Sequence, residues 1–381
     1  MTALAGGLAF LALGLFVWSY AIYPPLIRGL AARLPPSPSP PGPAEPISIE
    51  VLIAAADEEE VIGARVENLL RQEAVEDYRI VIGCDGCEDQ TAQCARAAAA
   101  SGPVRVAEFP RRRGKAGVLN DLVRESRADI LVFSDANTRF EADAVARLVR
   151  AFQDPGVGAA CGRLLFERGV RALPTPESAF WDRETRIKEA EGMLGVCLGA
   201  NGGIYAARRA LVAPLPEDTT SMDDFLIPVR VAGAGKKVVF AGEAVAREDA
   251  ARDVAAEVSR RFRIGIGGGQ VLRRETWLLD AGSHPTLTLA YLSRKVARWL
   301  APLVTLAAAV AALGAPRVRV AGAAALALAL ALLAVARLRP RLGGVVGKLY
   351  YFGVLNVALA FGVAAGLLGY SRPVWARTDR S

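Results

Sequence analysis

Apolar residues fall into different patterns along this chain. Residues 3–23 (ALAGGLAFLALGLFVWSYAIY) carry no charge and close on Trp18, Tyr20 and Tyr23. That is the length and the interfacial aromatic ending of a bilayer-spanning helix. From Ile47 the pattern changes to short β-rich runs, ISIEVLIAA, RIVIGC, VRVAEF and DILVFSD, alternating with helical-period segments such as the one using Ile62, Val66, Leu69 and Leu70. Such alternation predicts an α/β domain with a mostly parallel sheet covered by helices. Past Ser283, strongly apolar runs return at 320–335 and 349–368, with a weaker one at 300–313 ahead of Pro316. Before the weaker run, TLTLAYLSRKVARWL mixes Leu, Tyr and Trp with Arg294, Lys295 and Arg298, the composition of an amphipathic helix lying on a membrane surface.

The expected organisation is an N-terminal transmembrane helix over 1–25 and a proline-rich linker over 26–46. A catalytic-size domain follows over 47–280, then an interfacial helix over 284–300, transmembrane helices over 301–370 and a tail over 371–381. The linker rests on LPPSPSPPGPAEP, too proline-rich for helix or central strand. A cleaved signal peptide fits the N-terminus poorly, since no basic n-region precedes the apolar run and no small-residue site ends it. No fixed-period repeat supports a solenoid or propeller.

The 381 residues suffice for one sizeable domain plus membrane segments, and the 52% apolar content is concentrated towards the two ends. The net charge of +7 could suggest nucleic acid, but Arg28, Arg33, Arg294, Lys295, Arg298, Arg337, Arg339 and Arg341 sit beside apolar segments. Membrane lipid headgroups explain them more simply, and no nucleic-acid partner is expected. Five cysteines include the C-x-x-C of Cys84 and Cys87, but no second pair follows and His284 is distant in sequence. Reduced thiols are expected rather than a metal or redox site.

Ligands of such sheets bind where the carboxyl ends of strands meet helix N-termini, and Asp57, Asp85 and Asp135 each fall at such an end. Each could instead cap the next helix; Asp57 with Glu60 fits a capping box. SDANT places Asp135 and Asn137 two residues apart, where both can reach one oxygen-loving cation. RRRGKAGVLND sets cations, Lys115 among them, beside glycines at a helix start, which suits phosphate or is a solvated basic loop. SMDDF pairs Asp223 with Asp224, a carboxylate couple fit for general-base work or an ordinary acidic turn. RRFRIGIGGGQ joins cations to a glycine run, which reads as a loop closing over a diphosphate or as a juxtamembrane lipid contact.

In order, VLIAAADEEEVIGARVENLL, VIGCDGCEDQTA, RRRGKAGVLND, VFSDANTRFEADAVARLV, LGANGGIYAARR, TSMDDFLIPVRVAGAGKKV and RRFRIG resemble the successive motifs of membrane-bound, processive-type family 2 glycosyltransferases. The resemblance covers residues 47 to about 275. It implies a GT-A fold, a nucleotide-diphosphate sugar donor, a divalent metal (Mg or Mn) and inversion at the anomeric carbon. Carried over by motif, Asp57 and Asp85 would hold the nucleoside, and Lys115 and Asp223 would line the donor site. Asp135 with Asn137 would hold the metal, Asp224 would be the catalytic base, and Arg260 and Arg263 would bind the diphosphate. Three positions depart from the pattern: Asn137 stands for the second acid of D-x-D, Ile264 for a tryptophan, and Ala54 to Ala56 for proline and aromatic residues.

The resulting expectation is an inverting transferase acting on a lipid-linked or polysaccharide acceptor at the cytoplasmic face of the plasma membrane, in envelope or exopolysaccharide biosynthesis with assembly partners. A polysaccharide synthase and a catalytically silent scaffold subunit are the alternatives.

Overall fold

A computed structural model describes residues 2–34, 47–73, 77–100, 102–167, 176–220, 222–249, 254–314, 327 and 344–372. The chain separates into two units, Met1–Leu26 with Ala251–Ser371, and Ile27–Ala250 with Arg372–Ser381.

The second unit is built on an eight-stranded sheet: β1 (Ile49–Ala55), β2 (Tyr78–Asp85), β3 (Val104–Phe109), β4 (Ile130–Ser134), β5 (Arg139–Phe140), β6 (Val157–Glu167), β7 (Tyr205–Arg208) and β8 (Lys237–Asp249). The order is β3-β2-β1-β4-β7-β6-β8-β5. Strands β1 to β4 are mutually parallel, β6 runs parallel to β8, and β7 and β5 run antiparallel to their neighbours, so the sheet is mixed. The β-branched runs of β1, β2 and β4 have helices over their faces, and Val51, Ile53, Ile80, Ile82, Ile130 and Val132 pack with Ile62, Val66 and Leu69 in one fully buried cluster. Each such side chain contributes about 1.5–3 kcal/mol through burial. The chain winds from β1 outward to β3 and then returns to place β4 on the other side of β1. This reversal opens a crevice at the carboxyl ends of β1, β2 and β4.

The first unit is helical. Thr2–Ala31 and Pro285–Leu313 are each long and apolar enough to cross a membrane, and Tyr351–Leu367 is a shorter apolar stretch. The first helix continues past the expected limit at residue 25 and widens to a π turn over Trp18–Ile22. Pro24 and Pro25 lack the amides that would bond the carbonyls of Tyr20 and Ala21, and the wider turn accommodates that loss. Trp18 Nε1 donates to Ser293 Oγ at 2.9 Å, and Arg298 lies 4.8 Å from the Tyr20 ring centroid. Residues 284–300, read as a separate interfacial helix, run without a break into the following apolar run. The run at 320–335 apart from Ala327, the part of the expected linker over 35–46 and the tail from 373 lie outside the described residues.

The glycine run read as a phosphate-closing loop is helical: Val254–Arg274 is one helix. Its Gly265 and Gly269 pack against Gly362 and Gly366 of the helix Gly344–Leu367. A Cβ on Gly269 would stand 2.4 Å from the Val363 carbonyl oxygen, and one on Gly366 2.1 Å from that of Ile266. Glycine costs a helix about 1 kcal/mol per residue, and backbone-to-backbone approach of this kind offsets it.

Candidate active site

Asp57, Asp85 and Asp135 stand at the carboxyl ends of three adjacent strands, β1, β2 and β4. Asp57 does not cap the helix Glu59–Leu70. Its backbone is left-handed (φ 56°), its Oδ1 accepts from the Glu88 amide at 2.9 Å, and its Oδ2 pairs with Arg112 at 2.5 Å. The amides at that helix start are met instead by Thr91 Oγ1 and Asp89 Oδ2. Partial burial works to raise the Asp57 carboxyl, but the Arg112 guanidinium and two backbone amides outweigh it and hold it below the usual carboxylate range. Asp85 is fully buried, and its two oxygens accept from the amides of Arg113 (2.7 Å) and Gly114 (2.8 Å), fixing the turn that starts the helix Lys115–Glu125.

That turn aims Lys115 at two carboxylates. Its Nζ lies 2.9 Å from Asp135 Oδ1 and 3.1 Å from Asp223 Oδ2. Burial alone would push the ammonium down, but Asp135 and Asp223 reverse this and hold it charged well above the ordinary lysine range. Asp223 is buried at the start of the helix Asp223–Gly233 and also accepts from the Tyr205 hydroxyl at 2.8 Å. Burial and the adjacent Asp223 raise the Tyr205 phenol far above its usual value, so it remains a donor, and its ring stacks on Phe133 at 4.7 Å. Gly202 comes close to both Asp135 and Asp224. A Cβ there would be 3.5 Å from Asp135 Oδ2 and 3.7 Å from Asp224 Oδ2, so the missing side chain leaves a cradle bordered by two carboxylates.

Asn137 donates its amide nitrogen to Glu248 Oε1 at 2.8 Å, which leaves its oxygen as the atom a cation would take. Asp135 and that amide offer hard oxygen donors, the kind a divalent Mg or Mn ion takes, and the Gly202 cradle beside Asp135 gives it room. Asp57, Cys87 and Asp89 also bring ligand atoms within 4.8 Å of one another, but Asp57 is engaged by Arg112 and Asp89 by Thr91 and the Glu59 amide. Arg260 and Arg263 lie on the helix Val254–Arg274 in the other unit.

Several neighbours of this site carry no sequence signal of their own. Arg112 was one of four adjacent cations until its pairing with Asp57 singled it out. Buried Arg65 reaches Ser134 Oγ at 2.8 Å, directly before Asp135; burial pushes its guanidinium down to about 9 against the pull of Tyr78 and Asp135. Tyr205 and Glu248 come from β7 and β8, and Lys188 bonds Asn201 beside Gly202. Only the L-G-A-N-G-G stretch hinted at the last of these.

The family model described as glycosyltransferase-like family 2 matches residues 46–267. The chain is 27% identical over 147 residues to the O-antigen chain rhamnosyltransferase RfbN of Salmonella typhimurium, a stretch covering 36% of this chain and 47% of that one. It is 28% identical over 112 residues to YfnE of Bacillus subtilis, an uncharacterized glycosyltransferase, covering 29% of each. The matches thus span less than half the length of either curated relative. Among solved structures, the mannosyltransferase PcManGT of Pyrobaculum calidifontis, in complex with GDP-Man and Mn2+, aligns with a TM-score of 0.66 at 22% identity over 94% of this chain and 99% of that one.

Proposed function

The chain belongs to glycosyltransferase-like family 2 and has the GT-A fold, and from that premise we propose that it moves a sugar from a nucleoside-diphosphate donor to a lipid-linked or glycan acceptor with inversion. The observation that carries this reading is the carboxylate group at the switch point: Lys115 between Asp135 and Asp223, with Asp224 facing the cradle at Gly202. Asp57 and Asp85 shape the end of the crevice suited to the nucleoside. A divalent ion, when bound, supplies positive charge to the diphosphate leaving group. Asp135 and Asn137 are the residues that would hold it.

In this mechanism Asp224 takes the proton from the acceptor hydroxyl. The acceptor oxygen then bonds to the anomeric carbon from the face opposite the diphosphate, and the bond to the departing phosphate oxygen breaks. Lys115 is already charged and fixed, so it meets the growing negative charge without reorganisation. Asp223, buried and held by Tyr205, positions Lys115.

The helices Thr2–Ala31 and Pro285–Leu313 support a membrane-anchored enzyme with a multi-pass arrangement and a lipid-linked or membrane-bound acceptor. Catalysis at the cytoplasmic face of the plasma membrane completes the proposal. The test is transfer and hydrolysis from a panel of nucleotide sugars by the detergent-purified chain with Mg2+ or Mn2+, with product length read by mass spectrometry. Metal-dependent turnover of one donor supports the reading. Nucleotide-sugar binding without turnover on any lipid-linked or glycan acceptor contradicts it.

A further inference from the structure

Cys84 and Cys87 converge at the end of β1. Cys84 is buried in β2 opposite Ala55 in the parallel register, and the Cys87 thiol, three residues on, donates to the Ala55 carbonyl at 3.6 Å. Cys84 belongs to the buried core at this strand end, and Cys87 packs against that same core. The neighbouring thiol and burial push Cys84 far up, and the same neighbour brings Cys87 down to about 7. Cys87 is half-buried and so reachable, whereas Cys161 and Cys197, which also interact, are both fully enclosed.

The residues between and after the pair belong to the proposed nucleoside end of the site. Asp85 holds the amides of Arg113 and Gly114, and the Glu88 amide, next to Cys87, donates to Asp57 Oδ1 at 2.9 Å. Gly86 lies at φ 55°, where a Cβ would stand 2.5 Å from the Arg112 nitrogen, so this turn is packed directly against the basic segment.

We propose that Cys84 and Cys87 are a redox-sensitive pair whose reversible disulfide weakens nucleotide binding. A low-molecular-weight disulfide such as oxidised glutathione is the oxidant. The Cys87 thiolate attacks one of its sulfurs, the sulfur–sulfur bond breaks, and one glutathione thiolate leaves. Cys84, giving up its proton, then attacks Cys87 Sγ and releases the second glutathione, so one disulfide is reduced for each one formed. Closing the bond draws Cys87 from the Ala55 carbonyl and redirects the Glu88 amide and the Asp85 carboxylate. The cross-link needs only the thiols; its effect on nucleotide rests on the proposed function.

The experiment equilibrates the full chain in detergent with defined ratios of reduced and oxidised glutathione, maps cysteines by differential alkylation and peptide mass spectrometry, and measures UDP and GDP binding with Mn2+ by calorimetry. The expected result is a Cys84–Cys87 cross-link with Cys94, Cys161 and Cys197 still free. Affinity for the bound nucleotide falls at least tenfold, recovers on adding thiol, and is insensitive to oxidant in Cys87→Ser. Both thiols remaining free, a stable glutathione adduct on Cys87 alone, or a cross-link that leaves affinity unchanged would overturn the proposal. A reduced protein that binds neither nucleotide counts against the proposed function, while the mapping still decides the cross-link.

Discussion

Two regions of this protein solve close approach in opposite ways. At the strand ends, charged side chains are brought together and compensated: Lys115 sits between Asp135 and Asp223, and Arg112 faces Asp57. In the helix pair Val254–Arg274 and Gly344–Leu367, approach comes from having no side chain at all, with Gly265 and Gly269 meeting Gly362 and Gly366. Glycine serves both regions, but at Gly202 the space it leaves is bordered by carboxylates, while at Gly366 it is filled by another backbone. What a glycine is for thus depends on what lies across from it.

The largest effect expected is on turnover. Asp224→Asn keeps the shape of the side chain but removes the base, so transfer should slow by roughly 10²–10⁴-fold with nucleotide affinity retained; steady-state kinetics beside calorimetry checks this. On the helical side, Gly366→Leu drives a side chain into the Ile266 carbonyl and should cost about 3 kcal/mol or more, read as a lowered thermal midpoint in detergent. Gly353, on the same helix, meets nothing within 4 Å, and its change to alanine should leave the midpoint unchanged or raise it.

Lys115→Met tests whether the carboxylates at the site depend on compensation. It leaves Asp135 and Asp223 facing each other, and the loss should be about 2 kcal/mol, below the full cost of breaking a buried pair because water still reaches the lysine. Because the folded lysine is raised above its unfolded value, its contribution is complete below about pH 10.4 and declines only as pH climbs from there towards the folded value. Denaturant melts of wild type and variant should therefore differ equally at pH 6 and pH 8.

The smallest effect is at Arg112. Asp57 is depressed in the folded state, so its contribution is present above about pH 3.9 and fades as pH falls through its lower folded value. Arg112→Ala should return the carboxyl towards its ordinary value, seen by NMR titration, with under about 1 kcal/mol lost at neutral pH.

Much of this was readable in the sequence wherever a residue's role is set by its neighbours along the chain. The β-rich runs gave the parallel strands, and the carboxylates following them fell at their ends. Asp57 was harder, because its left-handed backbone and its partner 55 residues away decide against capping, and neither shows in a capping-box pattern. Tyr205 and Glu248 reach the site across 18 and 111 residues, so only the assembled sheet reveals them. The glycine run after Arg263 misled for a physical reason: glycine disfavours an isolated helix, and only a second glycine-lined helix makes that composition favourable.

The most direct test of the central claim is calorimetry of nucleoside-diphosphate binding to the full chain in detergent, with and without Mn2+, for wild type and Asp135→Ala. If the strand-end carboxylates hold the metal and diphosphate, wild type binds at least tenfold more tightly with Mn2+, and Asp135→Ala loses that gain while keeping its fold. Binding that ignores both the metal and the loss of Asp135 would contradict the account.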